Sequence, residues 1–496
     1  MLRANFHKLI RTTLGYSLST LVGPIFTLLL TPLYARMLGV ENYGVVGTLS
    51  PLTTLLFVLA LLSMNAVLPV FYYDPQLQGQ ESQVVSSGIS VTLLWATLLT
   101  LGVMVAAEPI TRLAVGEQLR DDMPNLVRVI AFGTPFSVLY SVQTTVLRLR
   151  FAVWRANLLA LLYMVCTAAS NLILVVMLDW QAAGVIWAGM FTNVAMGLAS
   201  LLVAHSSITT RPSLALMRML GRHGFAMAPA TLAVWVLAYG NRLLLPRNVG
   251  YEQIGIYDIA NRLASALALL VEPFKSAWGP LALSIQSQES APRTYSKGLT
   301  YFCVISLGIA LALSLFAHEA LLIITTAAFI ESERYVWLLA FTPLVGGFMT
   351  ITVIGLQIEK KLGQVAWLTA TSAILNMVLS LVLIPWLGIL GAALASALSY
   401  VALALLSAFW AQRVHPFPYE WRKILLVFGV YVGLAVAGVA LGSQVDVVSI
   451  ALRLGLWLAF PLLLLLLRVF DLWEVQLFRR VLAQPSQLLR WLRRDG

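Results

Sequence analysis

From residue 362 to residue 412 the chain carries no Asp, Glu, Lys, Arg or His. A helix crosses the hydrocarbon core of a bilayer in about 20 residues, so this stretch is too long for one crossing. Pro385-Trp386-Leu387-Gly388 divides it into two. In lipid only helices and closed barrels satisfy every backbone amide and carbonyl. Long unbroken apolar runs, rather than short alternating ones, predict helices. The whole chain agrees: 60% of its residues are hydrophobic and 11% charged, with mean hydropathy +0.87, which lies outside every soluble globular class. The fold class is therefore an all-α polytopic membrane protein. Cys166 and Cys303 sit inside apolar runs and the five histidines are scattered, so no disulfide framework, metal site or other cofactor is expected.

Apolar runs of helix length predict fourteen spans, with twelve as the rival count. They fall at 12–35, 51–73, 82–107, 129–147, 157–178, 182–206, 224–245, 253–283, 298–317 and 335–358, then two within 362–412, then 424–445 and 447–467. With both termini cytoplasmic, 22 of the 32 Lys and Arg collect on the inner side and 8 on the outer, Arg36, Arg242 and Arg453 among the latter. Such a bias fixes orientation. The first run is too long for a cleavable signal and is read as a span. The net charge of +11 fits cytoplasmic loops against anionic lipid; the basic residues form no compact domain, so nucleic acid is not an expected partner. Residues 471–496 mix Leu and Trp with arginines, the pattern of a basic amphipathic helix on the inner leaflet.

One predicted span differs from the rest. The run 253–283 holds Asp258, Arg262, Glu272 and Lys275 in its interior. Four such residues facing lipid would cost roughly 10 kcal/mol, so they must pair, face water or face a ligand. At 100° per residue, Asp258, Arg262, Ser265, Glu272 and Ser276 lie within an arc of about 80°, with Lys275 about 60° beyond. The stripe reads as the wall of a polar pathway. The alternative is an intrahelical ion pair of Asp258 with Arg262, four residues on.

The chain also repeats itself. Arg36-x-x-Gly39-x-Glu41-x-x-Gly44 recurs as Arg247-x-x-Gly250-x-Glu252-x-x-Gly255, and Asn171…Asp179-Trp180…Gly184 is echoed by Asn376…Pro385-Trp386…Gly391 at nearly the same offset. Two echoes at one offset point to duplication. The offset covers six spans, so both halves have the same orientation, related by an axis along the membrane normal. The predicted organisation is an N-lobe at 1–210 with spans one to six and a C-lobe at 211–415 with spans seven to twelve. Two further spans follow at 416–470, then the tail. In the first span, Ser17, Thr20, Pro24, Thr27 and Thr31 share one face and Gly23-Pro24 is expected to interrupt the helix. Broken, hydroxyl-lined helices mark transporter sites, although small-residue packing gives the same pattern.

Three blocks carry a family resemblance: TLLLTPLYARMLGVENYGVVGTLS at 27–50, GNRLLLPRNVGYEQIGIYDIANRLA at 240–264 and LNMVLSLVLIPWLGILGAALASALSY at 375–400. The chain resembles the Wzx-like polysaccharide-transport flippases, in the superfamily that also holds multidrug and toxic-compound extrusion proteins and lipid II flippases. The resemblance implies two six-helix bundles forming a V, plus two C-terminal helices. It also implies a bacterial inner-membrane protein, not an enzyme, that moves an undecaprenyl-diphosphate-linked oligosaccharide outward for exopolysaccharide or O-antigen synthesis. Polymerase and chain-length components of the same pathway are then potential partners. It suggests a cationic central cavity, and Arg36, Arg242, Arg262 and Lys275 are assigned to substrate binding by their position in this chain. Asp258 and Glu272 are assigned to pairing or ion coupling. Hydrocarbon cannot solvate a diphosphate, whereas guanidinium groups bind phosphate bidentately. The rival functions are a drug or cation exporter of the same superfamily, a membrane polysaccharide polymerase or ligase, and a synthase scaffold. The chain has no large outer loop and no nucleophile–base pairing to favour an enzyme.

Overall fold

The computed structural model describes residues 2–116, 120–203, 211–359, 361–440 and 446–471, with side chains described from Leu30 onward. The amphipathic tail expected at 471–496, apart from Asp471, and the hydroxyl face expected at Ser17–Thr27 lie outside those limits. Among the described residues every regular element is helical. Long helices are α1 (Leu2–Leu61), α3 (Glu81–Val105), α5 (Met123–Leu149), α6 (Val153–Asn171), α7 (Gln181–Val203) and α8 (Leu214–Leu244). The later ones are α9 (Tyr251–Ser265), α10 (Ala268–Ser284), α11 (Ala291–Leu315), α14 (Phe341–Thr352), α16 (Leu362–Leu387), α17 (Ile389–Val414), α18 (Trp421–Ala440) and α19 (Val447–Leu466). Short helices α2 (Met64–Tyr72), α4 (Ala107–Val115), α12 (Ala317–Ile324), α13 (Glu333–Leu339) and α15 (Ile354–Ile358) lie between them.

Twelve helices among the described residues are long and apolar enough to cross a membrane, and the bent pair α9–α10 is a thirteenth if its two halves count as one span. These answer to the second through fourteenth predicted spans; the predicted first span lies in α1, most of it before the described side chains. The protein is thus a multi-pass membrane protein. The charge-free run breaks where expected: α16 and α17 meet at Gly388, whose φ is +57°, a left-handed conformation that glycine adopts without a Cβ clash.

Two expectations are corrected. The helical assignment of α1 runs through Gly23-Pro24, and its described break is at Gly39, with φ 67° and ψ 174°. The striped span is not one straight helix either. Its axis bends by 48° between Ser265 and Ala268. Tightened turns, with Ala266 N–H on the Leu263 carbonyl and Leu270 N–H on the Leu267 carbonyl, occupy the bend. Pro273 follows, and its ring pushes on the carbonyl four residues back. The single 80° arc drawn for a straight helix therefore does not carry from Asp258 and Arg262 to Glu272 and Lys275.

The chain forms two compact units, one from Met1–Leu28, Ile259–Leu368 and Tyr400–Gly496, the other from Leu29–Asp258 and Thr369–Ser399. In the second unit, Ala60, Met64, Leu68, Val84, Val138, Val142 and Leu220 form a buried cluster. It holds α1, α2, α3, α5 and α8 together. The two copies of the repeated loop motif meet inside this unit. A β-carbon on Gly44 would overlap the Tyr251 carbonyl oxygen, and one on Gly255 would come within 2.5 Å of the Val40 carbonyl oxygen. Gly44 and Gly255 occupy the same place in the two motifs, and so do Val40 and Tyr251. The contact is reciprocal, as between two-fold-related copies.

In the first unit, stacked and edge-on rings run through Phe302, Phe274, Trp278, Tyr295 and Phe417. Two buried basic residues are matched here. Arg453 on α19, expected among the outer-side charges, is buried and pairs with Glu319 of α12. Lys297 on α11 is 3% exposed and reaches Asp471 at 2.6 Å and Glu420 at 3.2 Å, while Lys423 bonds the same two carboxylates. Burial raises the Asp471 pKa, but hydrogen bonds from Lys297 and Lys423 outweigh it and hold the carboxyl down to about 2. Glu420, with the same opposing causes and a bond from Thr300, is also lowered. A depressed carboxyl contributes stability above its unfolded pKa and loses it only as pH falls through the folded value. Asp471→Asn is expected to destabilise the detergent-solubilised protein by about 1–2 kcal/mol, since Asp471 is partly solvated. Its gap from wild type should stay constant between pH 5 and 8 in thermal unfolding; a gap that closes toward pH 5 would contradict the pairing.

Candidate functional site

The charged centre of the second unit is built by α8 and α9, which are joined by a short turn at 245–250. That turn carries the second copy of the repeated motif and brings the end of α8 beside α9. Arg242 on α8 donates from Nη1 to Asp258 Oδ1 on α9 at 2.9 Å, with side chains 9% and 6% exposed. The guanidinium lies 5.5 Å from the Tyr239 ring centroid and 5.6 Å from that of Tyr257. Asn241 fixes this corner: its Nδ2 donates to the Tyr257 hydroxyl at 2.7 Å, to Ser396 Oγ at 2.9 Å and to the Ala392 carbonyl at 3.2 Å. A planar cation set against two aromatic rings keeps one edge for a carboxylate and has further N–H groups for a second anion.

The sequence placed Arg242 and Asp258 in the site without pairing them, because the ion-pair alternative looked for a partner four residues away. Arg242, a partner of Asp258, lies sixteen residues back, across the turn. Arg262, one turn beyond Asp258, is half-buried, and Arg36 is exposed just before Gly39. In the first unit, Lys275 donates to Glu272 at 2.7 Å along α10, both half-exposed. The structure therefore brings together Arg242 with Asp258 and Lys275 with Glu272. Among the described residues no cluster of His, Cys, Asp and Glu could hold a metal ion.

The sequence reading missed a cavity of ≈ 500 Å³ in the second unit. It lies between residues 46–57 of α1, the middle of α5, Tyr163 of α6 and the first half of α7. Its walls include Ser50, Thr54, Tyr140, Ser141, Tyr163 and Asn193, and among the described residues no charged one lines it. A signal existed: Thr134, Ser137, Ser141 and Thr144 recur at helical 3–4 spacing in the fourth predicted span. The Trp235 indole N–H of α8 donates to Thr54 on the cavity wall at 3.0 Å. The Trp235 ring stacks on that of Tyr239.

Comparison with known proteins supplies the context. Residues 9–286 match the family of polysaccharide biosynthesis proteins. A Haloferax volcanii protein described as a probable low-salt glycan biosynthesis flippase, Agl15, is 22% identical over 244 residues, 48% of this chain and 50% of that protein. The chain thus matches about half the length of this curated relative. In fold, the chain resembles the lipid II flippase MurJ in an inward closed conformation, with TM-score 0.71 and 12% identity over 90% of this chain and 98% of that one. It also resembles an inward-facing multidrug-resistance MATE transporter of the MOP superfamily, with TM-score 0.65 and 15% identity over 79% and 94%. A third similar fold is a MOP-superfamily transporter from Pyrococcus furiosus, described as having a binding pocket of reversed polarity, with TM-score 0.59 and 15% identity over 82% and 95%.

Proposed function

The chain belongs to the polysaccharide biosynthesis protein family, and on that premise we propose that it is a flippase for a lipid-diphosphate-linked oligosaccharide. The observation that carries the reading is a buried guanidinium, Arg242, set against two tyrosine rings near the end of a helix long and apolar enough to cross a membrane. A charge buried in a membrane protein is costly and marks a functional site by default. A drug-cation exporter needs an available acid, and here Asp258 already faces Arg242. A diphosphate needs donors in a fork, which arginine presents.

In this reading the head group of an undecaprenyl-diphosphate-linked repeat unit enters from the cytoplasmic side and leaves outward by alternating access, while the lipid tail stays in the membrane. Arg242 binds phosphate once Asp258 releases it, and Asp258 keeps the site neutral when empty. Arg36 in the second unit, and Arg262 and Lys275 in the first, are the further proposed substrate-binding cations, with Glu272 holding Lys275. The spans are arranged as two repeated lobes in the inner membrane of a bacterium, with both chain ends cytoplasmic. A polymerase and a chain-length component receive the product. Deleting the protein should make a lipid-linked oligosaccharide accumulate on the cytoplasmic face, read by protease-free lipid extraction and mass spectrometry of inside-out vesicles. An unchanged lipid pool with heightened sensitivity to cationic drugs would move the function to drug export.

A further inference from the structure

We propose that the neutral cavity of the second unit is a carbohydrate subsite that takes a sugar residue of the transported head group. Its role in transport rests on the flippase reading; its binding chemistry does not.

Its size lies within the about 300–1,000 Å³ common for ligand pockets. Polar residues between membrane helices often serve as packing glue, but glue fills space, and here hydroxyls and an amide are set among apolar side chains around an open volume. The absence of charge among the described wall residues argues against a phosphate, which needs a cation, and against a cationic drug, which needs an acid. A neutral ligand with both hydroxyls and apolar faces, as a pyranose has, fits such a lining.

The hydrogen bonding of the walls is matched to such a ligand. Thr53, Ser137 and Thr144 each donate back to a carbonyl of their own helix, at 3.0, 2.8 and 2.9 Å. A hydroxyl has one donor and two lone pairs, so each of these oxygens keeps acceptor capacity for a sugar hydroxyl. Asn193 supplies the opposite polarity. Its Oδ1 accepts from the Tyr163 hydroxyl at 3.0 Å, which orients the amide and leaves its NH₂ to donate. The rings of Tyr140 and Tyr163 lie 5.0 Å apart, tilted by 34°. Their electron-rich faces suit the weakly positive C–H groups on the flat side of a pyranose.

The cavity is also placed for a head group whose phosphate sits at Arg242. Thr54 on its wall is bonded to Trp235, seven residues before Arg242 on α8, about 10 Å along the helix axis. That separation is within the reach of a sugar attached to a diphosphate at Arg242.

The test uses the full-length protein in nanodiscs. The probe is the set of water-soluble oligosaccharides released by mild acid from the polyprenyl-linked pool of the source cells, so that neither lipid nor diphosphate remains. Saturation-transfer NMR should show ring protons of a glycan receiving saturation from the wild type. The transfer should fall about fivefold in Tyr140→Ala and in Asn193→Leu, and about twofold in Tyr163→Phe, which removes only one hydroxyl. Arg112→Gln, at an exposed position outside the cavity, should leave it unchanged. No transfer to the wild type, persistence in Tyr140→Ala and Asn193→Leu, or loss in Arg112→Gln would each overturn the subsite. Reconstituted vesicles with the intact lipid-linked pool separate the two claims. Glycan binding without translocation would leave the subsite standing and remove the flippase reading. Translocation without glycan binding would do the reverse.

Discussion

The Arg242→Gln/Asp258→Asn double variant is expected to insert and accumulate like the wild type and still fail to export. Each single change removes one side of a buried ion pair, at up to about 3–5 kcal/mol. Removing both restores neutrality, and the two destabilisations should not add: the double variant should sit within about 1 kcal/mol of wild type. Export should not recover with it. A charge-assisted hydrogen bond is worth about 1.5–3 kcal/mol, so loss of the guanidinium should lower translocation about 10- to 150-fold. Arg242→Lys keeps the charge and loses the fork, so it should recover only part. Fluorescence-detected gel filtration reads accumulation and vesicle translocation reads export. Full export by the double variant would make the pair a structural tie and shift phosphate binding to Arg262.

The second large effect is expected at the crossing of the repeated motifs. Gly44→Ala puts a methyl group into the Tyr251 carbonyl, and Gly255→Ala puts one against the Val40 carbonyl. Both obstacles are backbone, so α1 and α9 themselves must part. Overpacking of this kind costs about 1–3 kcal/mol and sometimes more, with Gly44 the worse position because its overlap is deeper. The contact is reciprocal, so helices already parted by one alanine accommodate the second cheaply. The double variant should be less destabilised than the sum by more than about 0.5 kcal/mol. Strict additivity in thermal unfolding of the singles and the double would show that the two glycines do not share one crossing.

What the sequence made legible followed from hydropathy and from local spacing. The charge-free run placed α16 and α17 and the turn at Gly388. The intramembrane charges singled out α9 and α10. The repeated motif pointed to residues that touch one another. The rest needed distance information. Arg242 and Asp258 meet only because the turn at 245–250 folds α8 back on α9, and no helical period relates positions sixteen apart. The bend after Ser265 lies in an apolar stretch with no proline or glycine of its own, so a straight-helix projection ran through it. The cavity was hidden because serine, threonine and tyrosine barely change a hydropathy average. Arg453 carried its own clue, a lone charge several residues inside an apolar run, but its partner Glu319 is far back in the chain.

That last pairing bears on the order in which the protein is made. Lys297 and Glu319 emerge from the ribosome long before the residues that neutralise them, Glu420 and Asp471 for the first and Arg453 for the second. Until α18 and α19 arrive, the nascent chain must keep two charges solvated at the ends of α11 and α12. The last two helices look like an appendage when spans are counted in sixes. In assembly they are the closing step, and a chain stopped after α17 would be left holding charges that membrane quality control is built to find.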